Sequence, residues 1–77
     1  MKIIFLHGLG QDETSWNEVI KALPNHDCLS VKLFERDVFP TDFQVLEDKV
    51  LSILESTDEV FILVGLSLGG MLALGVI

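Results

Sequence analysis

The apolar residues of this chain change period several times, and each change marks an element. Ile3-Ile4-Phe5-Leu6 is a continuous run behind a single lysine and predicts a buried strand over Lys2–His7. Gly8–Thr14 is polar and glycine-bearing, as a loop is. Trp16, Val19, Ile20 and Leu23 then share one face at helical spacing. Ser15 and Glu18 have capping-box spacing, so a helix is predicted over Trp16–Leu23, closed by Pro24-Asn25. Leu29, Val31 and Leu33 alternate with Ser30 and Lys32, which predicts a strand over Cys28–Phe34 with one face less buried than in the other strands.

A loop is expected over Glu35–Asp42, around Pro40. Thr41 and Gln44 again have capping-box spacing, and Phe43, Leu46, Val50, Ile53 and Leu54 form one stripe of a helix over Asp42–Ser56. Glu59-Val60-Phe61-Ile62-Leu63-Val64, rich in β-branched and aromatic residues, predicts the third strand. An apolar helix begins near Gly69 and runs to Ile77. Strands alternating with helices predict a parallel sheet with right-handed crossovers in a single α/β domain. No repeat, low-complexity segment or linker interrupts the pattern.

Between the third strand and the last helix stands Gly65-Leu66-Ser67-Leu68-Gly69, a G-x-S-x-G sequence. A serine on a sharp strand-to-helix turn needs small residues on either side, because the backbone there is strained. The turn projects the serine oxygen from the end of the sheet, with the N–H groups of the next helix aimed toward it. Such a site suits a nucleophile whose product charge must be stabilised. Ser67 as a mere helix N-cap explains the serine but not glycines two residues before and after it. A phosphate-binding loop would need a lysine that this sequence does not have after its glycines.

The first strand runs into His7-Gly8-Leu9-Gly10. A strand ending in His-Gly, followed some tens of residues later by G-x-S-x-G, resembles the α/β-hydrolase family over essentially the whole chain. The resemblance implies a three-layer α-β-α fold with a parallel sheet, the N-terminal part of an α/β-hydrolase domain over residues 1–77, truncated after the elbow helix. It places the first strand between the other two, so that the His-Gly loop and the elbow are neighbours where the chain switches direction. By the same resemblance Ser67 is the nucleophile, and the N–H groups of Leu9 and Leu68 form the oxyanion hole. Gly8, Gly65 and Gly69 are the loop and elbow glycines. The reaction it implies is nucleophilic acyl transfer on a small-molecule carboxylic ester or related acyl substrate, without cofactor. The family's triad follows the order serine, acid, histidine, so His7 is expected to shape the oxyanion loop rather than act as base. The distal acid and histidine are absent from these 77 residues, and the chain alone is expected to be inactive. A nucleophilic serine also argues against the branch of the family that uses aspartate.

Composition narrows the alternatives. The chain is 49% hydrophobic and 22% charged, which is globular, and 77 residues bury only about 60% of the unfolded surface. A net charge of −7 makes a nucleic-acid backbone an unsuitable partner. Cys28 is the single cysteine, so no internal disulfide forms and nothing calls for an oxidising compartment; a cytoplasmic location is expected. Cys28 itself reads as a small buried hydrophobe, His26 as an exposed turn residue, and Trp16 as packing the first helix on the sheet. Asp12 and Glu13 precede a helix, where negative charge is stabilised. No metal-ligand spacing occurs. Two other classes stay open: a non-catalytic fragment that self-associates through open sheet edges, and a small membrane-associated protein using the uncharged stretch Val60–Ile77. Against the second stand four glycines and a β-rich first third in that stretch.

Overall fold

A computed structural model describes residues 2–34 and 43–76. Three parallel strands, β1 (Lys2–Leu6), β2 (Asp27–Val31) and β3 (Phe61–Gly65), lie in the order β2-β1-β3. The expected α/β architecture and central first strand are therefore found. The register aligns Leu6 with Val31 on one side and with Gly65 on the other, so all three strands end level.

Alternation along β1 sends side chains to both faces. Ile4 and Leu6 join Val31, Leu33, Leu46, Val50 and Leu72 in one buried cluster, with α2 (Phe43–Glu55) and α3 (Leu68–Val76) covering that face. The predicted stripe of α2 thus meets the sheet, with Leu46 and Val50 buried and Phe43, Ile53 and Leu54 packed at the margin. Phe5 points the other way and takes Trp16, ring centroids 5.0 Å apart, as expected of that tryptophan. Leu72 is fully buried between α3 and the sheet cluster. Leu72→Ala is expected to lower stability by about 2–5 kcal/mol, read as a shift of the urea midpoint.

Several boundaries differ from the sequence reading. β1 stops at Leu6 rather than His7, and β2 stops at Val31 rather than Phe34. The two strands can pair only as far as both extend, and beyond Val31 the N–H of Leu33 turns to the His7 ring instead of to a ladder carbonyl. β3 starts at Phe61 because its partner begins at Lys2, leaving Glu59 and Val60 exposed. Cys28, on the edge strand, is half-buried rather than buried. Pro40, the Thr41 cap and the predicted helix start at Asp42 lie outside the described residues.

The first helical segment is corrected more deeply. A 3-10 turn, Glu13–Trp16, precedes a short α1, Asn17–Lys21, in which no residue is buried. Ser15 does not head the capping box. Asp12 does, accepting the Thr14 N–H at 2.9 Å, while the Asp12 N–H donates to Ser15 Oγ at 3.4 Å. A carboxylate serves the exposed N–H groups of a helix start well, and here the turn begins at Glu13, three residues before the predicted start at Trp16. The Thr14 hydroxyl and then its N–H, both donating to the carboxylate, hold Asp12 below the usual carboxylate range. A lowered folded-state value means that the cap's contribution is present above the ordinary carboxylate value and is lost as the pH falls from there through the lowered folded-state value.

The uncharged stretch after Val60 is divided into a strand, a turn and a nine-residue helix. Among the described residues no helix is long and apolar enough to cross a membrane.

Candidate active site

The elbow is built by the collision of strand and helix demands. Leu66 N–H donates to Leu6 O at 3.2 Å, extending the β1–β3 ladder by one bond. α3 begins two residues later, at Leu68. Ser67 absorbs the change of direction with φ of 55°, the only positive φ among the described non-glycine residues. Gly69 N–H donates to Leu66 O at 3.0 Å and Met71 N–H to Ser67 O at 3.0 Å, closing the first turn. A left-handed serine costs about 1–2 kcal/mol in a chain of L-residues, so packing around the turn must hold it.

That packing explains the glycines. A Cβ on Gly65 would fall on the Gly69 carbonyl and lie 2.6 Å from Gly70 N. One on Gly69 would overlap the Leu6 carbonyl and stand 2.8 Å from His7 O. The helix start is therefore in direct backbone contact with the end of the central strand. A Cβ on Gly8 would meet Leu66 O at 3.2 Å and the Ser67 Cβ at 3.4 Å. The His-Gly loop and the elbow, far apart in sequence, touch at Gly8 and Ser67.

Ser67 is exposed, as is Leu9, and the Leu9 N–H has no hydrogen-bond partner among the described residues. Leu68 is the first residue of α3, where an N–H has no acceptor within the helix. His7 is fully buried, and its ring is engaged on both sides. Nε2 accepts the Leu33 N–H at 3.1 Å, so the neutral ring carries its proton on Nδ1, which donates to Gly8 O at 2.9 Å. Its ring also lies 5.5 Å from that of Phe34. His7 thus ties the end of β1 to the segment after β2, which agrees with a shaping role for it. His26 is exposed and precedes β2, at the opposite end of the sheet from the elbow.

One residue of this neighbourhood escaped the sequence reading. Gln11 lies three positions after Gly8, donates its N–H to Gly8 O at 3.2 Å, and accepts the Gly8 N–H on Oε1 at 2.9 Å. The signal was available as turn spacing around Gly10, whose φ is 80°. A cavity of about 330 Å3 opens beside this loop toward Lys32 and Phe34, and Ser67 is not on its wall. Among the described residues no group of three His, Cys, Asp or Glu side chains is placed to hold a metal ion.

Comparison with known proteins points the same way as the elbow. Residues 3–77 match the model of an alpha/beta hydrolase family. A Haemophilus influenzae protein provisionally named 2-succinyl-6-hydroxy-2,4-cyclohexadiene-1-carboxylate synthase is 34% identical over 80 residues, covering 96% of this chain. The chain spans 32% of that relative's length. No solved structure matches significantly. A strand–serine–helix elbow abutting a His-Gly loop on a parallel sheet, together with a family match over nearly all its residues, shows that the chain belongs to the α/β hydrolase family.

Proposed function

We propose that Ser67 is the nucleophile of a serine hydrolase acting on a carboxylic ester or a related small acyl substrate. The observation that carries this reading is the left-handed backbone of Ser67 at the strand–helix turn, against Gly8. Ser67 Oγ attacks the carbonyl carbon, and the carbonyl oxygen takes up the electron pair. The N–H groups of Leu9 and Leu68, neither of which has a partner among the described residues, receive that oxyanion. Collapse expels the alcohol, and water then releases the acyl group from the serine.

The proton of Ser67 needs a histidine base, itself oriented by an acid. His7 has both ring nitrogens committed, and His26 sits at the far end of the sheet. In this scheme both partners come from outside these 77 residues, and no cofactor takes part.

A second reading rests on the Haemophilus relative, whose name is that of a synthase of a cyclohexadiene carboxylate. On that reading the same serine and oxyanion donors serve a non-hydrolytic reaction. In the whole enzyme a fluorophosphonate probe is expected to label Ser67 and no other residue, and Ser67→Ala is expected to abolish the labelling. Labelling that survives in the alanine variant overturns the nucleophile assignment. With the whole enzyme, release of p-nitrophenol from a short-chain ester supports the hydrolase, and formation of the relative's named product supports the synthase.

A further inference from the structure

The oxyanion donor proposed for the His-Gly loop is a backbone N–H, so its direction depends on whatever holds one peptide plane. Leu9 is flanked by two glycines, Gly8 and Gly10, and Gly10 has φ of 80°. Glycines on both sides leave that plane few steric restraints of its own. The restraint comes instead from hydrogen bonds. The Gly8 carbonyl accepts from His7 Nδ1 at 2.9 Å and from Gln11 N–H at 3.2 Å. A trans peptide is planar, so fixing the Gly8 carbonyl fixes the Leu9 N–H to point the opposite way. Gln11 closes the other side as well, because its Oε1 takes the Gly8 N–H at 2.9 Å. The Gly8 N–H is thereby removed as an oxyanion donor, while the next N–H along the loop, that of Leu9, has no partner among the described residues.

We propose that the Gln11 side chain is a positioning residue, which ties the turn at Gly8 shut and so presents the Leu9 N–H to the oxyanion. This rests on the reading of Leu9 as an oxyanion donor. Its feature beyond loop stability is the acceptor itself. Only an oxygen at the end of a side chain of this length holds the Gly8 N–H. Gln11→Glu keeps that oxygen, and Gln11→Met keeps the length and loses the acceptor.

The test is carried out on the 15N-labelled whole enzyme, which supplies the histidine base, with Ser67 phosphonylated by a fluorophosphonate, whose phosphoryl oxygen stands in for the oxyanion. In the native enzyme the Leu9 and Leu68 amide protons are expected to move downfield on labelling, as N–H groups that donate to a strongly polarised phosphoryl oxygen do. In Gln11→Met the Leu68 shift is expected to remain and the Leu9 shift to be lost, with labelling slowed by about 10–10²-fold, toward the loss of one oxyanion donor. Gln11→Glu is expected to restore both. The Leu33 amide, bonded to His7 on the other side of the loop, reports whether the variants keep the native fold. A Leu9 shift that persists in a folded Gln11→Met chain overturns the positioning role, as does failure of Gln11→Glu to rescue. Native labelling that moves Leu68 but not Leu9 overturns the Leu9 reading itself, and this proposal with it.

Discussion

Gly69→Val is expected to leave the chain without a cooperative fold, and to abolish probe labelling for that reason rather than through lost chemistry. A side chain at Gly69 would begin with a Cβ inside the Leu6 carbonyl group and 2.8 Å from His7 O. Leu6 ends the central strand and is paired on both sides, so its backbone cannot step aside as a flexible side chain would. Relief requires α3 to lift from β1, and that uncovers Leu72 and the cluster beneath it. At roughly 0.05–0.15 kcal/mol per residue a domain of this size holds only about 4–12 kcal/mol in total. A backbone overlap combined with loss of core contacts, each worth several kcal/mol, consumes most of that. Gly75→Ala is the control. Its Cβ would meet only the end of the Glu47 side chain, at 3.1 Å, which can move. Circular dichroism with thermal melting should show a native-like transition for Gly75→Ala and none for Gly69→Val. A well-folded, fully reactive valine variant would falsify the direct-contact account of the elbow.

The 77-residue chain by itself is expected to show no ester turnover above that of its own Ser67→Ala variant. Without a base the serine stays a neutral, weak nucleophile at pH 7. His7 is unsuited, since Nε2 is occupied by the Leu33 N–H and Nδ1 by the Gly8 carbonyl. His26 precedes Asp27, which aligns with Phe61, whereas the elbow follows Gly65. At about 3.3 Å per residue that separation exceeds ~13 Å, out of reach of proton transfer. In other serine enzymes, loss of the catalytic serine or histidine removes about 10⁶-fold in kcat, while donors alone retain ~10³–10⁴ over water. Preorganisation is the remaining question. β3 carries no charged residue, its Ile62 is exposed, and it lies at the edge of the sheet, as does β2. Such an edge invites pairing with another chain. Assay of a purified monomer with a p-nitrophenyl short-chain ester decides it, and Ser67-dependent burst kinetics would overturn the expectation.

The sequence by itself carried the order of the elements and the identity of the two motifs. Continuous apolar runs at Ile3–Leu6 and Phe61–Val64 and the helical stripe through Leu46 and Val50 are strong local signals, because each keeps to the pattern of a single element. The glycines around Ser67 were equally legible, since only a strained or crowded backbone calls for them at that spacing. Boundaries were not, because a strand ends where its partner ends: Val31 stops against Leu6 and Phe61 starts against Lys2, facts that belong to the pairing. The cap at the first helical turn was placed at Ser15 by its spacing to Glu18, whereas Asp12 is the cap, which only the path of the loop settles. Tertiary structure alone brought Gly8 against Ser67, locked the His7 tautomer between two backbone groups, and engaged Gln11 with Gly8. Each of these is a hydrogen bond or contact whose partner is chosen by the turn of the chain in space, and periodicity along one strand or helix holds no record of it.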